Sequence, residues 1–142
     1  LWKARHEAYY AAKSLMPGGL SLLTDVCVPI SALSASIEKT KKAIEKSGLL
    51  APIAGHVGDG NYHLMILFDG DSDDGLSRAK SLASQVNDIA LDFGGTVTGE
   101  HGIGSGKRSY MEREHGEAWS IMGNIKELFD PNNIMNPGKL VP

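Results

Sequence analysis

The fold is decided by the stretch Gly55-His56-Val57-Gly58-Asp59-Gly60-Asn61-Tyr62-His63. An Asp-Gly pair between two apolar runs is typical of a two-residue type I′ turn, which needs positive φ at both central positions. The sequence therefore predicts a β-hairpin that turns at Asp59-Gly60, with strands over 50–57 and 62–68.

This predicted hairpin brings two imidazoles to one side of a sheet. With the turn at Asp59-Gly60, Val57 faces Tyr62 and His56 faces His63, and the Cβ atoms of directly opposed residues lie about 4.5–5.5 Å apart. Two imidazoles so placed can bind one metal ion through ring nitrogens at about 2.0–2.1 Å. The alternative is that both are ordinary strand histidines with local hydrogen bonds, and the residues alone leave it open.

Outward from the hairpin, strands and helices alternate. An apolar, β-branched run over 22–28 predicts a first strand, and Ser31 is expected to cap a helix that ends at Gly48. After the hairpin, a stripe of apolar residues from Leu76 predicts a second helix, which Gly94-Gly95 ends. A short fourth strand is expected over 96–98.

The resulting order is β-α-β-β-α-β, the ferredoxin-like split pattern of the α+β class, with the helices on one face of the sheet. Two further helices are expected outside this pattern. One opens the chain and runs to about Leu15, and the other contains Trp119 and Phe129 near the C-terminus.

Composition limits the functional classes. The 142 residues are 42% hydrophobic and 22% charged, which suits one domain with a substantial core. The formal net charge of −3 argues against nucleic acid as a partner. The single cysteine, Cys27, excludes a disulfide scaffold. No apolar run is long enough to span a membrane, and no signal peptide opens the sequence.

Glycine is concentrated around the candidate functional residues. The chain has 17 glycines in 142 residues, well above the usual share of about 7%. A second glycine-rich window, 94–108, contains Glu100 and His101. Glu100 could complete a His-His-carboxylate metal set with His56 and His63, and three protein ligands leave positions open for chemistry. His101 would then serve as a general acid or base.

Three separated motifs stand out in the chain. They are the stretch 55–63, Gly99-Glu100-His101-Gly102-Ile103-Gly104, and Phe129-Asp130-Pro131 with Asn136-Pro137-Gly138-Lys139. Together they resemble one family, the C-terminal domain of FAD-linked 2-hydroxy-acid dehydrogenases, which includes FAD-dependent D-lactate dehydrogenases, the flavin subunit of glycolate oxidase and D-2-hydroxyglutarate dehydrogenase. The resemblance covers essentially the whole chain, and 24–31 is most similar to the D-lactate branch.

The resemblance implies a role for individual residues. It implies that His56, His63 and Glu100 hold a divalent metal, with zinc, manganese and iron all compatible with such ligands. It further implies that His101 is the catalytic base and that Arg5 grips the substrate carboxylate. Asn136 is expected to contact the flavin.

The resemblance also implies an activity and an architecture. The expected reaction is oxidation of a D-2-hydroxy acid, of D-lactate or glycolate type, to the 2-oxo acid by hydride transfer to FAD. In the family a separate FAD-binding domain precedes this region, so 1–142 is expected to be the C-terminal substrate and metal domain, present as a fragment that is inactive alone.

Expected partners are a small 2-hydroxy acid, the chain's own N-terminal FAD domain and a downstream electron acceptor. The expected location is mitochondrial in a eukaryote, and cytoplasmic or membrane-peripheral in a bacterium. Two other functional classes stay open from the residues alone: a metal-dependent hydrolase, and a non-catalytic ferredoxin-like interaction module.

Overall fold

A computed structural model of the protein describes residues 2–141, with side chains from Glu7 onward. The side chain of Arg5, the predicted substrate-binding residue, lies outside the described residues. The chain forms two compact units, Leu1–Gly99 and Glu100–Pro142.

The first unit contains a helix, four strands and two further helices. In chain order they are α1 (Trp2–Lys13), β1 (Leu20–Leu23), β2 (Val26–Cys27), α2 (Leu33–Ser47), β3 (Ile53–His56), β4 (Asn61–Phe68) and α3 (Gly75–Asp92). The second unit contains α4 (Arg108–His115) and α5 (Glu117–Phe129). The predicted α+β class is confirmed.

Strand β4 is the centre of an antiparallel sheet. β1 pairs with one half of it and β2 with the other half, both antiparallel, while β3 pairs antiparallel with it as well. Beyond β2, the expected strand over 96–98 is reduced to a single bridge between Thr96 and Cys27. The predicted short fourth strand is therefore present only as this bridge.

Alternation along β4 separates two faces of the sheet. Tyr62, Leu64, Ile66 and Phe68 join the buried core together with apolar residues of α2 and α3, so these two helices share one face as predicted. On the other face, α1 approaches β1, where the Tyr9 hydroxyl lies 3.2 Å from the Ser21 hydroxyl.

The hairpin exists, but its predicted register was wrong by two residues. His56 pairs with Asn61, and Ala54 pairs with His63. The chain turns through a 3-10 segment, Val57–Asp59, and only Gly60 is left-handed, with φ 77°. A type I′ turn needs positive φ at two central positions, and Asp59 is not among the described residues with positive φ.

A shift of two residues keeps each side chain on its original face, because side chains alternate with a period of two. His56 and His63 are therefore still on one face of the sheet, as diagonal neighbours rather than directly opposed residues.

Two smaller predictions are corrected as well. The expected first strand over 22–28 is interrupted at Thr24-Asp25 and forms β1 and β2. Ser31 does not cap α2, since it lies in a 3-10 turn, Ile30–Ala32, and α2 begins without a side-chain cap.

The Tyr62 hydroxyl ties the sheet to α2 inside the core, at 2.7 Å from the Ser36 hydroxyl and 3.1 Å from that of Thr40. Tyr62→Phe leaves these buried hydroxyls without their partner, so we expect the free energy of unfolding to fall by about 1–3 kcal/mol in urea titrations. Tyr10→Phe is the control, because Tyr10 is 71% exposed. Equal stability of the two variants would contradict this account.

Candidate metal centre

The two histidines of the hairpin lie close together within the first unit. His56 ends β3 and His63 lies in β4. Their ring centroids are 6.2 Å apart, and the ring planes are nearly perpendicular at 88°. Neither ring is fully buried, so each histidine has its backbone in a strand and its ring accessible to solvent. The structure therefore brings these two predicted ligands together.

His63 is oriented by groups from the neighbouring strand segment. Its Nδ1 lies 3.2 Å from the Thr24 carbonyl oxygen and 3.5 Å from Oδ1 of Asp25. A carbonyl oxygen can only accept, so the neutral ring donates its proton from Nδ1 and carries its lone pair on Nε2. Nε2 is then the nitrogen that can bind a metal ion.

The Thr24 carbonyl is available to His63 because the Thr24 hydroxyl takes its place in the ladder. The Leu64 amide donates to Oγ1 of Thr24 at 2.9 Å, while the Thr24 amide donates to the Leu64 carbonyl at 3.1 Å. In an unbroken antiparallel pair, the Leu64 amide would bond the Thr24 carbonyl instead. The interruption between β1 and β2 thus serves the orientation of His63.

Asp25 is a buried carboxylate that sequence reasoning missed. Its side chain is 1% exposed, and it accepts a 2.9 Å hydrogen bond from the amide nitrogen of Asn61. The pairs Leu23 with Met65 and Val26 with Tyr62 place it opposite His63. The available signal was an acidic residue inside an otherwise apolar strand, since buried charges are rare without partners.

Asn61 completes this cluster, and it is the register partner of His56 in the β3–β4 pair. Its amide nitrogen also donates to the Val26 carbonyl at 3.1 Å, so two acceptors fix the orientation of the amide. Its Oδ1 is buried and meets no hydrogen-bond donor within the part of the chain that the structure describes. A buried acceptor of this kind usually has a partner, and a cation or its bound water fits the chemistry of an amide oxygen.

Gly99 allows the backbone to lie directly against these side chains. A Cβ at this position would meet the Asn61 amide nitrogen at 2.2 Å and Oδ1 of Asp25 at 2.8 Å. No other residue fits without displacing both groups. The predicted ligand Glu100 and the predicted base His101 come next in the chain, and both are exposed within the second unit.

Cys27 is not suited to bind the metal or to act as a nucleophile. Its thiol donates to the Asp59 carbonyl at 3.2 Å. Burial raises the pKa of the Cys27 thiol, and the nearby carboxylates of Asp25 and Asp59 raise it further. The thiolate, which is the reactive and metal-binding form, is therefore disfavoured.

Asn136, the predicted flavin contact, lies in the second unit. It adopts a left-handed backbone conformation with φ 49° and borders a cleft of about 440 Å³. The walls of this cleft include Phe129, Met135 and Leu140. An apolar cleft with an amide at its edge suits a flat ring with polar edges.

Asp130 holds the segment that leads to Asn136. Its carboxylate accepts hydrogen bonds from the backbone amides of Ile134 at 3.0 Å and Met135 at 2.9 Å, and from the ammonium of Lys126. The hydrogen bond from Lys126 lowers the pKa of Asp130, with smaller contributions from the two amides, against the opposing effect of burial. The turn-rich composition of this tail did not reveal this carboxylate's role.

Within the described residues, no helix combines the length and apolar character needed to cross a membrane.

Residues 1–140 match the family model described as FAD linked oxidases, C-terminal domain. The chain is 47% identical over 143 residues to a mitochondrial D-lactate dehydrogenase [cytochrome] of Arabidopsis thaliana, covering all of this chain and 25% of the relative. It is 48% identical over 142 residues to a probable mitochondrial D-lactate dehydrogenase of Danio rerio, covering 99% of this chain and 29% of the relative.

A bacterial relative has a different named substrate. The glycolate oxidase subunit GlcD of Bacillus subtilis is 34% identical over 141 residues, which cover 99% of this chain and 30% of that protein. The chain thus spans between a quarter and a third of the length of these relatives. These matches fit the expected oxidoreductase family, and they do not fit the hydrolase or the interaction module.

Proposed function

The chain belongs to the family of C-terminal domains of FAD-linked oxidases, and we propose on that premise that it forms the substrate- and metal-binding part of a flavin-dependent dehydrogenase. The proposed reaction oxidises a D-2-hydroxy acid, of D-lactate or glycolate type, to the 2-oxo acid. The observation that carries the proposal is the pair His56 and His63 on one sheet face, 6.2 Å between ring centroids, with His63 held by its Nδ1.

The residues present fit a divalent metal. Two imidazoles are available, one with its lone pair committed to Nε2, and Asn61 presents a buried oxygen that lacks a donor among the described residues. The proposal takes the third ligand, Glu100, from the sequence. When bound, a divalent metal would lower the pKa of a hydroxyl group that approaches it.

The chain's own side chains supply the remaining functions in this proposal. Arg5 binds the substrate carboxylate through a bidentate, charge-assisted pair. His101 accepts the proton of the 2-hydroxyl group as the carbon–oxygen double bond forms at C2. Asn136 would contact FAD, which a preceding domain would bind, and the bound flavin would supply the acceptor for the hydride that leaves C2.

The proposed partners are the 2-hydroxy acid, an FAD-binding domain of the same polypeptide and a downstream electron acceptor. The length of the relatives supports the second of these, since this chain covers 25% and 29% of the two D-lactate dehydrogenases. Their names include a mitochondrial location, which supports a mitochondrial setting for a eukaryotic source.

The metal proposal predicts that His56→Ala and His63→Ala each abolish metal binding. Elemental analysis of the purified protein should give about one divalent ion per chain, and each variant should fall close to zero. His115→Gln is the control, because this imidazole lies on α4. Retention of the metal in both hairpin variants would refute the ligand assignment.

The assignment of His101 makes a different prediction, because a base acts after the metal is bound. His101→Gln should lower kcat for D-lactate oxidation by about 10²–10⁴-fold while the metal content stays at the wild-type level. Turnover is followed with an artificial electron acceptor in the flavin-containing protein. Full activity in the variant would contradict the assignment, and so would loss of the metal.

A further inference from the structure

We propose that Asp25 is a positioning residue for His63. Its buried carboxylate, together with the Thr24 carbonyl, fixes the ring with Nδ1–H directed to oxygen, and so assigns Nε2 to the metal. This inference rests on the proposed function, and it deepens it by naming a residue that orients a ligand without binding the ion.

The backbone determines that the carboxylate and the ring meet. Asp25 lies between β1 and β2, and the register of these two strands with β4 places it opposite His63. Directly opposed residues share a face of the sheet. Nδ1 of His63 lies 3.2 Å from the Thr24 carbonyl and 3.5 Å from Asp25. The carbonyl accepts the hydrogen bond, and the negative charge beside it favours the tautomer that presents a proton to both oxygens.

The energetic position of Asp25 points to a role beyond packing. A carboxylate with a 1% exposed side chain has lost most of its hydration, and an apolar residue of similar size is often as stable in such a place. Hydrogen bonding within the protein offsets part of this lost hydration. The Asn61 amide donates to Oδ1 at 2.9 Å, which makes the carboxylate an oriented group.

Asn61 and Gly99 keep the carboxylate from rotating away. The amide of Asn61 is anchored a second time, on the Val26 carbonyl at 3.1 Å. The backbone of Gly99 occupies the adjacent space, since a Cβ there would come within 2.8 Å of Oδ1 of Asp25. The Thr24 carbonyl accepts the ring N–H at 3.2 Å, and the Asp25 charge at 3.5 Å strengthens the same orientation. Outer partners of a metal-binding histidine fix its tautomer and raise its basicity, and their loss typically costs 10–100-fold in metal affinity.

Asp25→Asn is the informative substitution. The new side chain keeps the size of Asp25 and can still accept the hydrogen bond from the Asn61 side chain, so we expect the fold to be unchanged. It removes, however, the negative charge that favours a proton on Nδ1 of His63, because the Oδ1 atom that accepts from Asn61 also lies 3.5 Å from that nitrogen. The expected result is a shift of the ring toward the Nε2–H tautomer, which cannot bind a metal through Nε2.

The experiment combines two measurements on the purified protein. Magic-angle-spinning NMR with ring-labelled histidine, with His63 assigned through His63→Gln, reports the tautomer in the metal-free state. Competition with a chelator gives the Kd for Zn²⁺. Wild type should show Nδ1–H at His63, whereas Asp25→Asn should show a shift toward Nε2–H and about 10–100-fold weaker Zn²⁺ binding. The control is Asp59→Asn, which removes the same charge from the exposed turn.

The outcomes separate this inference from the function on which it rests. An Nε2–H tautomer in wild type overturns the inference whether or not any variant folds. An unchanged tautomer in Asp25→Asn also overturns it, even if Zn²⁺ affinity falls, as does an unchanged affinity. If wild type binds no Zn²⁺ but shows the Nδ1–H tautomer and the expected shift, the metal proposal fails while the orienting contact stands.

Discussion

The pairing of β4 with its neighbours is the constraint on which the candidate centre depends. Because side chains alternate along a strand, the pairing that buries Tyr62 and Leu64 under α2 and α3 also turns Asn61 and His63 to the opposite face. β3 places His56 on this same face, and the segment between β1 and β2 places Asp25 there as well. The same strand pairing therefore places the apolar core on one face of the sheet and polar groups able to bind a metal on the other.

A single change in the hydrogen bonding between Thr24 and Leu64 orients the His63 ring. The Thr24 hydroxyl accepts the Leu64 amide, which leaves the Thr24 carbonyl for the His63 ring. A threonine can supply this oxygen, whereas valine, which has the same shape, cannot. The interruption of the first strand is thus coupled to the tautomer of a candidate ligand, and Gly99 provides the space that the cluster needs.

Local patterns in the sequence predicted most of the fold. The apolar stripe after Leu76 identified α3, and the Asp59-Gly60 pair identified the hairpin. The register was wrong because Gly60 alone takes a left-handed conformation, which a dipeptide signal does not reveal. Both histidines were nonetheless placed on one face. Asp25 was missed because its contact with Asn61 joins residues 36 positions apart, and such contacts leave no periodic signal.

We propose that His56 and His63 bind one metal ion across the diagonal of the β3–β4 pair. A crystal structure of the Zn²⁺-loaded protein, with anomalous data collected at the zinc edge, tests it most directly. We expect one anomalous peak about 2.0–2.1 Å from Nε2 of His63 and from a ring nitrogen of His56. A peak that lies away from either ring, or that contacts His63 through Nδ1, would contradict it.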